Sequence, residues 1–252
     1  MISEADLIRA GQLALSTARI AWQQRIVDPN RVLKNLDLRS RAFIDHSIRS
    51  PDALGWTWQS PYEWDGDFEW CGAFAVGFAW GAAGLDADQR ELYASSTDRL
   101  NAWGQYRSMF GPKSVNEREV RARFPKPDEG ARLFIALDED STPKDLFDVG
   151  YEARAGDILL VGGVPGSYRG ARAWGTHVAL ADRYDDRRGG FVTLEGNASG
   201  RGPDGKTYQG VVEQFRPIGL RGEKSKTYHV RRILRPGRPD ARFVLPPAVP
   251  IA

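Results

Sequence analysis

Gly175-Thr176-His177-Val178-Ala179-Leu180-Ala181 and Phe191-Val192-Thr193-Leu194-Glu195-Gly196-Asn197 flank the polar, glycine-ended stretch Asp185-Asp186-Arg187-Arg188-Gly189-Gly190. Two alternating runs around such a turn read as a β-hairpin. Side chains alternate across a strand, so Val178, Leu180, Val192 and Leu194 share one face, the natural core face. His177, Ala179, Thr193, Glu195 and Asn197 share the other. A turn centred near Asp186 sets His177 opposite Glu195, about 5 Å apart at Cβ, and a shift of two residues sets it opposite Asn197. In both registers the histidine has a polar partner on its own surface. Small Ala179 leaves room on that surface for another element, for which the helix carrying Cys71 is the candidate.

Around the hairpin the C-terminal half is strand-rich. Ile158 to Gly162, Thr176 to Asp182, Gly190 to Glu195, Val211 to Phe215 and Lys226 to Leu234 supply about five strands, enough for a small antiparallel sheet or half-barrel. The N-terminal half is helical. Ser3 to Arg25 reads as an amphipathic helix with Ser3 as N-cap and Leu7, Ile8, Leu13, Leu15, Ile20 and Trp22 on its buried side, ended by Asp28-Pro29-Asn30. Further helices are expected at 31–47 and 95–106. From Cys71 to Ala83 the chain is apolar nearly all round, interrupted by Gly72, Gly77 and Gly81. That pattern belongs to a core helix packed closely on a sheet, with Gly84 as its C-cap. Helices first and strands second give an α+β fold. Residues 1–55 form an N-terminal helical segment packed on a domain spanning 56–235, and 236–252 form a Pro/Arg-rich extended tail. The proline-broken stretch 107–151 reads as an insertion of short helices and loops.

Cys71 is the only cysteine, placed where a turn-rich segment gives way to the apolar helix. Free N–H groups and the dipole at a helix N-terminus favour a thiolate there. With His177 as base and Glu195 as the residue that orients the ring, the three side chains form the set needed for acyl transfer through a thioester. The backbone N–H of Cys71 supplies one oxyanion donor, and Tyr62 and Gln59 are candidates for the second.

Trp70-Cys71-Gly72-Ala73-Phe74-Ala75-Val76, Ala155-Gly156-Asp157-Ile158-Leu159-Leu160, Thr176-His177-Val178-Ala179 and Thr193-Leu194-Glu195-Gly196-Asn197 occur in that order. The chain thereby resembles CHAP domains, the cysteine, histidine-dependent amidohydrolases/peptidases of the papain-like superfamily, from about Trp56 to Leu234. The related NlpC-type peptidases usually carry a second histidine at the third position, where this chain has Glu195. The resemblance implies a papain-like fold and a peptidoglycan amidase or endopeptidase. Cys71, His177 and Glu195 would take the catalytic positions, Asn197 would assist, and no cofactor is needed. The implied partners are the peptide stems of peptidoglycan and, for a secreted effector, an immunity or inhibitor protein. Two other readings stand beside it: the same triad deamidating, transamidating or cleaving a protein target, and a binding module with a vestigial triad.

Composition narrows the field. The 252 residues carry 35 basic and 33 acidic side chains, a formal net charge of +2, which makes no case for nucleic acid. A single cysteine allows no internal disulfide. Met1-Ile2-Ser3-Glu4-Ala5-Asp6 does not read as a signal peptide. The longest apolar stretch, Ala73 to Leu85, is too short to span a bilayer. An enzyme made in the cytoplasm without a leader would reach the cell wall by lysis, as an endolysin does, or by dedicated secretion. Tyr62, Trp70, Trp103 and Trp174 are the aromatic candidates for a substrate groove. Asp65, Asp67 and Glu69 offer too few oxygens for calcium and read as helix-capping charge, so no metal is expected. His46 lies among charged residues and His229 has no acidic companion, which leaves His177 as the base.

Overall fold

The computed structural model describes residues 3–26, 43, 71–85, 131–137, 140–163, 177–219 and 228–236. Three helical elements are seen there: α1 (Glu4–Gln23), α2 (Ala73–Trp80) and α3 (Pro143–Asp148). Six strands accompany them: β1 (Ala131–Ala136), β2 (Ile158–Gly163), β3 (His177–Asp185), β4 (Gly190–Arg201), β5 (Thr207–Pro217) and β6 (Tyr228–Pro236). The strands form one sheet in the order β1-β6-β2-β3-β4-β5, with antiparallel neighbours throughout. The mixed α+β architecture is therefore present, and the five expected strands correspond to β2 through β6. The sixth corrects the reading of 107–151 as short helices and loops. Ala131–Ala136 is one of the two edge strands, paired with β6, and only α3 within that stretch is a described helix. Its flanking prolines hid a strand stabilised by its neighbour rather than by local pattern.

Both faces of the sheet are covered. On one, Ile158, Leu160, Val178, Leu180, Leu194, Val211 and Leu234 pack with α1 and α2; on the other, Leu159, Val161, Ala179, Phe191 and Ile233 pack with Leu146 of α3 and Tyr151. β2 is buried on both sides, which is why it reads as a continuous apolar run.

Ser3 caps α1 as expected, its hydroxyl accepting from the Asp6 N–H at 3.1 Å. The buried side of α1 differs from expectation. Leu7 is buried as expected, but the rest of that side is the small-residue stripe Ala10, Gly11, Ala14, Ala18 and Ala21, while Leu13, Leu15 and Trp22 pack at its margins and Ile8 and Ile20 are exposed. Close approach of the helix to the chain beneath it selects small side chains over large ones. α2 departs from a regular helix too: residues 73–80 are π-wound, continued by α-helical residues 81–82, and Gly84 ends the segment at φ +92°. A wider winding changes which side chains share a face, which 3.6-residue periodicity cannot anticipate.

α1, α2 and the sheet meet at Gly156. Its φ of +84° is left-handed, and a methyl there would lie 2.4 Å from the Gly11 carbonyl oxygen. The Trp80 indole donates to the Gly156 carbonyl at 2.9 Å. Asp157, 1 % exposed, accepts from Arg235 of β6 at 2.7 and 2.8 Å and from the Tyr151 hydroxyl at 2.7 Å. A methyl on Gly11 would meet the Ala155 carbonyl oxygen at 2.5 Å. Gly→Ala inside a helix ordinarily stabilises by ~1 kcal/mol. Gly11→Ala is instead expected to destabilise by ~1–3 kcal/mol because backbone must move. A circular-dichroism melt of Gly11→Ala with a midpoint at or above wild type would contradict this packing.

Candidate active site

α2 and the first residue of β3 bring the cysteine and the histidine together. Gly72 faces Val178, whose Cγ2 would lie 3.8 Å from a Cβ at that position. The residue before Gly72 is Cys71 and the residue before Val178 is His177, so the lead-in to the helix lies over the start of the strand. The Cys71 side chain lies near enough to the His177 ring to help raise its pKa. Cys71 is buried at 2 % exposure, while the His177 side chain keeps 13 %. The approach corrects one expectation. The helix does not come over Ala179, which faces the opposite core layer with Leu159 and Val161; it packs on the Val178, Leu180 and Leu194 face and meets His177 at the strand's end.

His177 Nε2 lies 2.9 Å from Glu195 Oε2, an ion-pair contact off the direction of the ring N–H. The hairpin pairs Leu180 with Leu194 and Ala181 with Thr193, so continuation of that register sets Asn197, not Glu195, across from His177. The difference from the register that faces Glu195 has a local cause. The turn closes with Gly189 N–H on the Asp185 carbonyl, and a bulge between Ala181 and Arg183 shifts the pairing. Glu195 reaches the ring diagonally, a separation a long side chain spans. Asn197 stands at φ +55° inside the bulge between Glu195 and Ala198; the described contact to the ring comes from Glu195.

Glu195 has no solvent exposure. Arg216 of β5 grips it through Nε on Oε1 at 2.7 Å and Nη2 on Oε2 at 2.5 Å, and the Thr193 hydroxyl donates to Oε1 at 2.6 Å. Burial pushes the carboxyl upward, but Arg216 and His177 outweigh it and hold Glu195 well below the usual carboxylate range. For His177, burial opposes the cation, yet the charges of Glu195 and Cys71 prevail and raise the ring to about 10. Sequence reasoning placed Thr193 on this face without a role and missed Arg216 altogether. Its available signal was parity: Arg216, Gln214 and Val212 pair with Phe191, Thr193 and Glu195, so all six stand on one face.

Trp70, Trp103, Trp174, Tyr62 and Gln59 lie outside the described residues, as do Asp65, Asp67, Glu69, His46 and the helices expected at 31–47 and 95–106. His229 is buried in β6 opposite Gly162, separated from β3 by β2. Among the described residues no group of three or more His, Cys, Asp or Glu side chains converges as a metal site. No described helix is long and apolar enough to cross a membrane.

The ion pair has a defined pH window. His177 is raised above its ordinary value of ~6.5, so its contribution to stability is complete below that value and is lost as pH rises through about 10. Glu195 is depressed, so its contribution is present above its ordinary value and is lost as pH falls through the lowered one. Glu195→Gln leaves Arg216 buried without its counter-charge and is expected to cost ~3–5 kcal/mol at neutral pH. Urea denaturation checks this. A loss below ~1 kcal/mol, the range of exposed ion pairs, would show that the cluster is not held as described.

Comparison of the chain with protein-family models, with curated proteins and with solved structures gave no match.

Proposed function

We propose that this chain is a cysteine-dependent amide hydrolase with the triad Cys71, His177 and Glu195, acting on the peptide portion of peptidoglycan. The observation that carries the chemistry is the placement of the lone thiol beside an imidazole and of that imidazole 2.9 Å from a fully buried carboxylate. The wall substrate rests on the ordered resemblance to CHAP domains, whose papain-like architecture is proposed with it.

In this reading His177 accepts the Cys71 proton and the thiolate attacks the scissile carbonyl carbon. The carbonyl π electrons move to oxygen, where the Cys71 backbone N–H donates to the oxyanion. Collapse breaks the C–N bond as His177 returns its proton to the leaving amine, and a thioester remains on Cys71. Water, deprotonated by the same ring, attacks the thioester; collapse expels the thiolate and releases the carboxylic acid. Glu195 keeps its charge throughout and stabilises the imidazolium, the role of the acidic member in triads of this kind. Asn197 at its bulge and the aromatic residues Tyr62, Trp70, Trp103 and Trp174 complete the proposed site. The enzyme would reach its substrate through host lysis or dedicated secretion, where an immunity protein would be its natural inhibitor.

Digestion of purified sacculi from several wall chemotypes tests the reading. Wild-type protein is expected to release fragments whose masses identify a cleaved N-acetylmuramoyl-L-alanine or peptide bond. Folded Cys71→Ala and His177→Ala are expected to lose at least about three orders of magnitude in rate, as triad removal does. Intact sacculi alongside a cysteine-dependent mass change in a protein target would replace the wall substrate by a protein one. Unchanged activity in Cys71→Ala would end the hydrolase reading.

A further inference from the structure

We infer that Arg216, assisted by Thr193, is the positioning residue of this site: it holds Glu195 as an ionised carboxylate fixed beside the His177 ring. The inference rests on the hydrolase reading above and deepens it.

A carboxylate offers about four lone-pair positions; three on Glu195 take hydrogen bonds, and the His177 ring lies beside the oxygen with the fourth. Oε1 takes Arg216 Nε at 2.7 Å and Thr193 Oγ1 at 2.6 Å. Oε2 takes Arg216 Nη2 at 2.5 Å and faces His177 Nε2 at 2.9 Å. The fork and the hydroxyl together stop the carboxylate turning, so the position left on Oε2 is the one presented to the ring. A lysine would bring charge without that fork.

Arg216 also cancels the charge of Glu195. Among the described residues the ionisable groups that act on His177 are Glu195 and Cys71, those that act on Glu195 are Arg216 and His177, and those that act on Arg216 are Glu195 and the phenol of Tyr228. Removing Arg216 leaves Glu195 without its guanidinium in a site withdrawn from water, which is costly. The carboxylate then tends to take up a proton, which removes the anion that sustains the imidazolium.

NMR of the full chain tests this without any substrate, with the His177 ring assigned through His177→Gln. Wild type is expected to show a His177 midpoint near 10. In Arg216→Met the midpoint drops by at least about one unit. Arg216→Lys is expected to show a smaller drop, and Thr193→Val to lower the midpoint with the charge count unchanged. If Arg216→Met does not fold, Arg216→Lys and Thr193→Val decide the matter on the same readout. Folded variants that titrate as wild type would make Arg216 purely structural and overturn the inference while the hydrolase reading stands. A wild-type protein whose His177 is unprotonated at neutral pH would overturn the ion pair itself, and this inference with it.

Discussion

A carboxylate with no water around it imposes the strictest condition in this structure. Glu195 is tolerated only because each oxygen has two partners and a guanidinium counters its charge. Those partners come from three adjacent strands: His177 from β3, Thr193 from the carboxylate's own β4, and Arg216 from β5. Any slip of β3 or β5 against β4 by one residue would turn His177 or Arg216 to the other face and strand the charge. The polar cluster therefore specifies the register of this half of the sheet as much as the apolar layers do, and the placement of His177 follows from that register.

The other half is held by a parallel device. Asp157, just before β2, is gripped by Arg235 of β6, and its backbone carbonyl accepts from the Ala181 N–H of β3 at 2.8 Å. The adjoining Gly156 meets Gly11 of α1 and Trp80 of α2. α2 is thus pinned at its Trp80 end to the Gly156 turn, while its other end lies against Val178. With both ends located, the position of Cys71 over the start of β3 follows from packing. The Ala155-Gly156-Asp157 motif serves this junction.

Much of this was legible. Alternation in 177–181 and 191–197 identified the hairpin and its core face, and Val178, Leu180 and Leu194 do face α1 and α2. Ser3 announced the start of α1, and the apolar, glycine-bearing run after Cys71 announced a core helix. The pairing of His177 with Glu195 was visible through shared parity, although the contact is diagonal because the turn and the bulge after Ala181 shift the register. Arg216 escaped notice because an arginine beside a proline near a strand end carries no local sign of burial; only the neighbouring strand shows what it neutralises. The alanine stripe of α1 was hidden for a related reason, since large residues dominate a periodicity reading while close packing at Gly11 selects small ones.

The amino-acid sequence alone determined the kinds of elements, their order, and the chemical candidates Cys71, His177 and Glu195, because alternation, capping and residue chemistry are local properties. Tertiary structure decided which of those candidates touch, the edge strand at 131–136, the register that makes Glu195 a diagonal partner, and the recruitment of Arg216. These depend on contacts between segments far apart in the chain, where burial and charge balance act on groups that local pattern cannot relate.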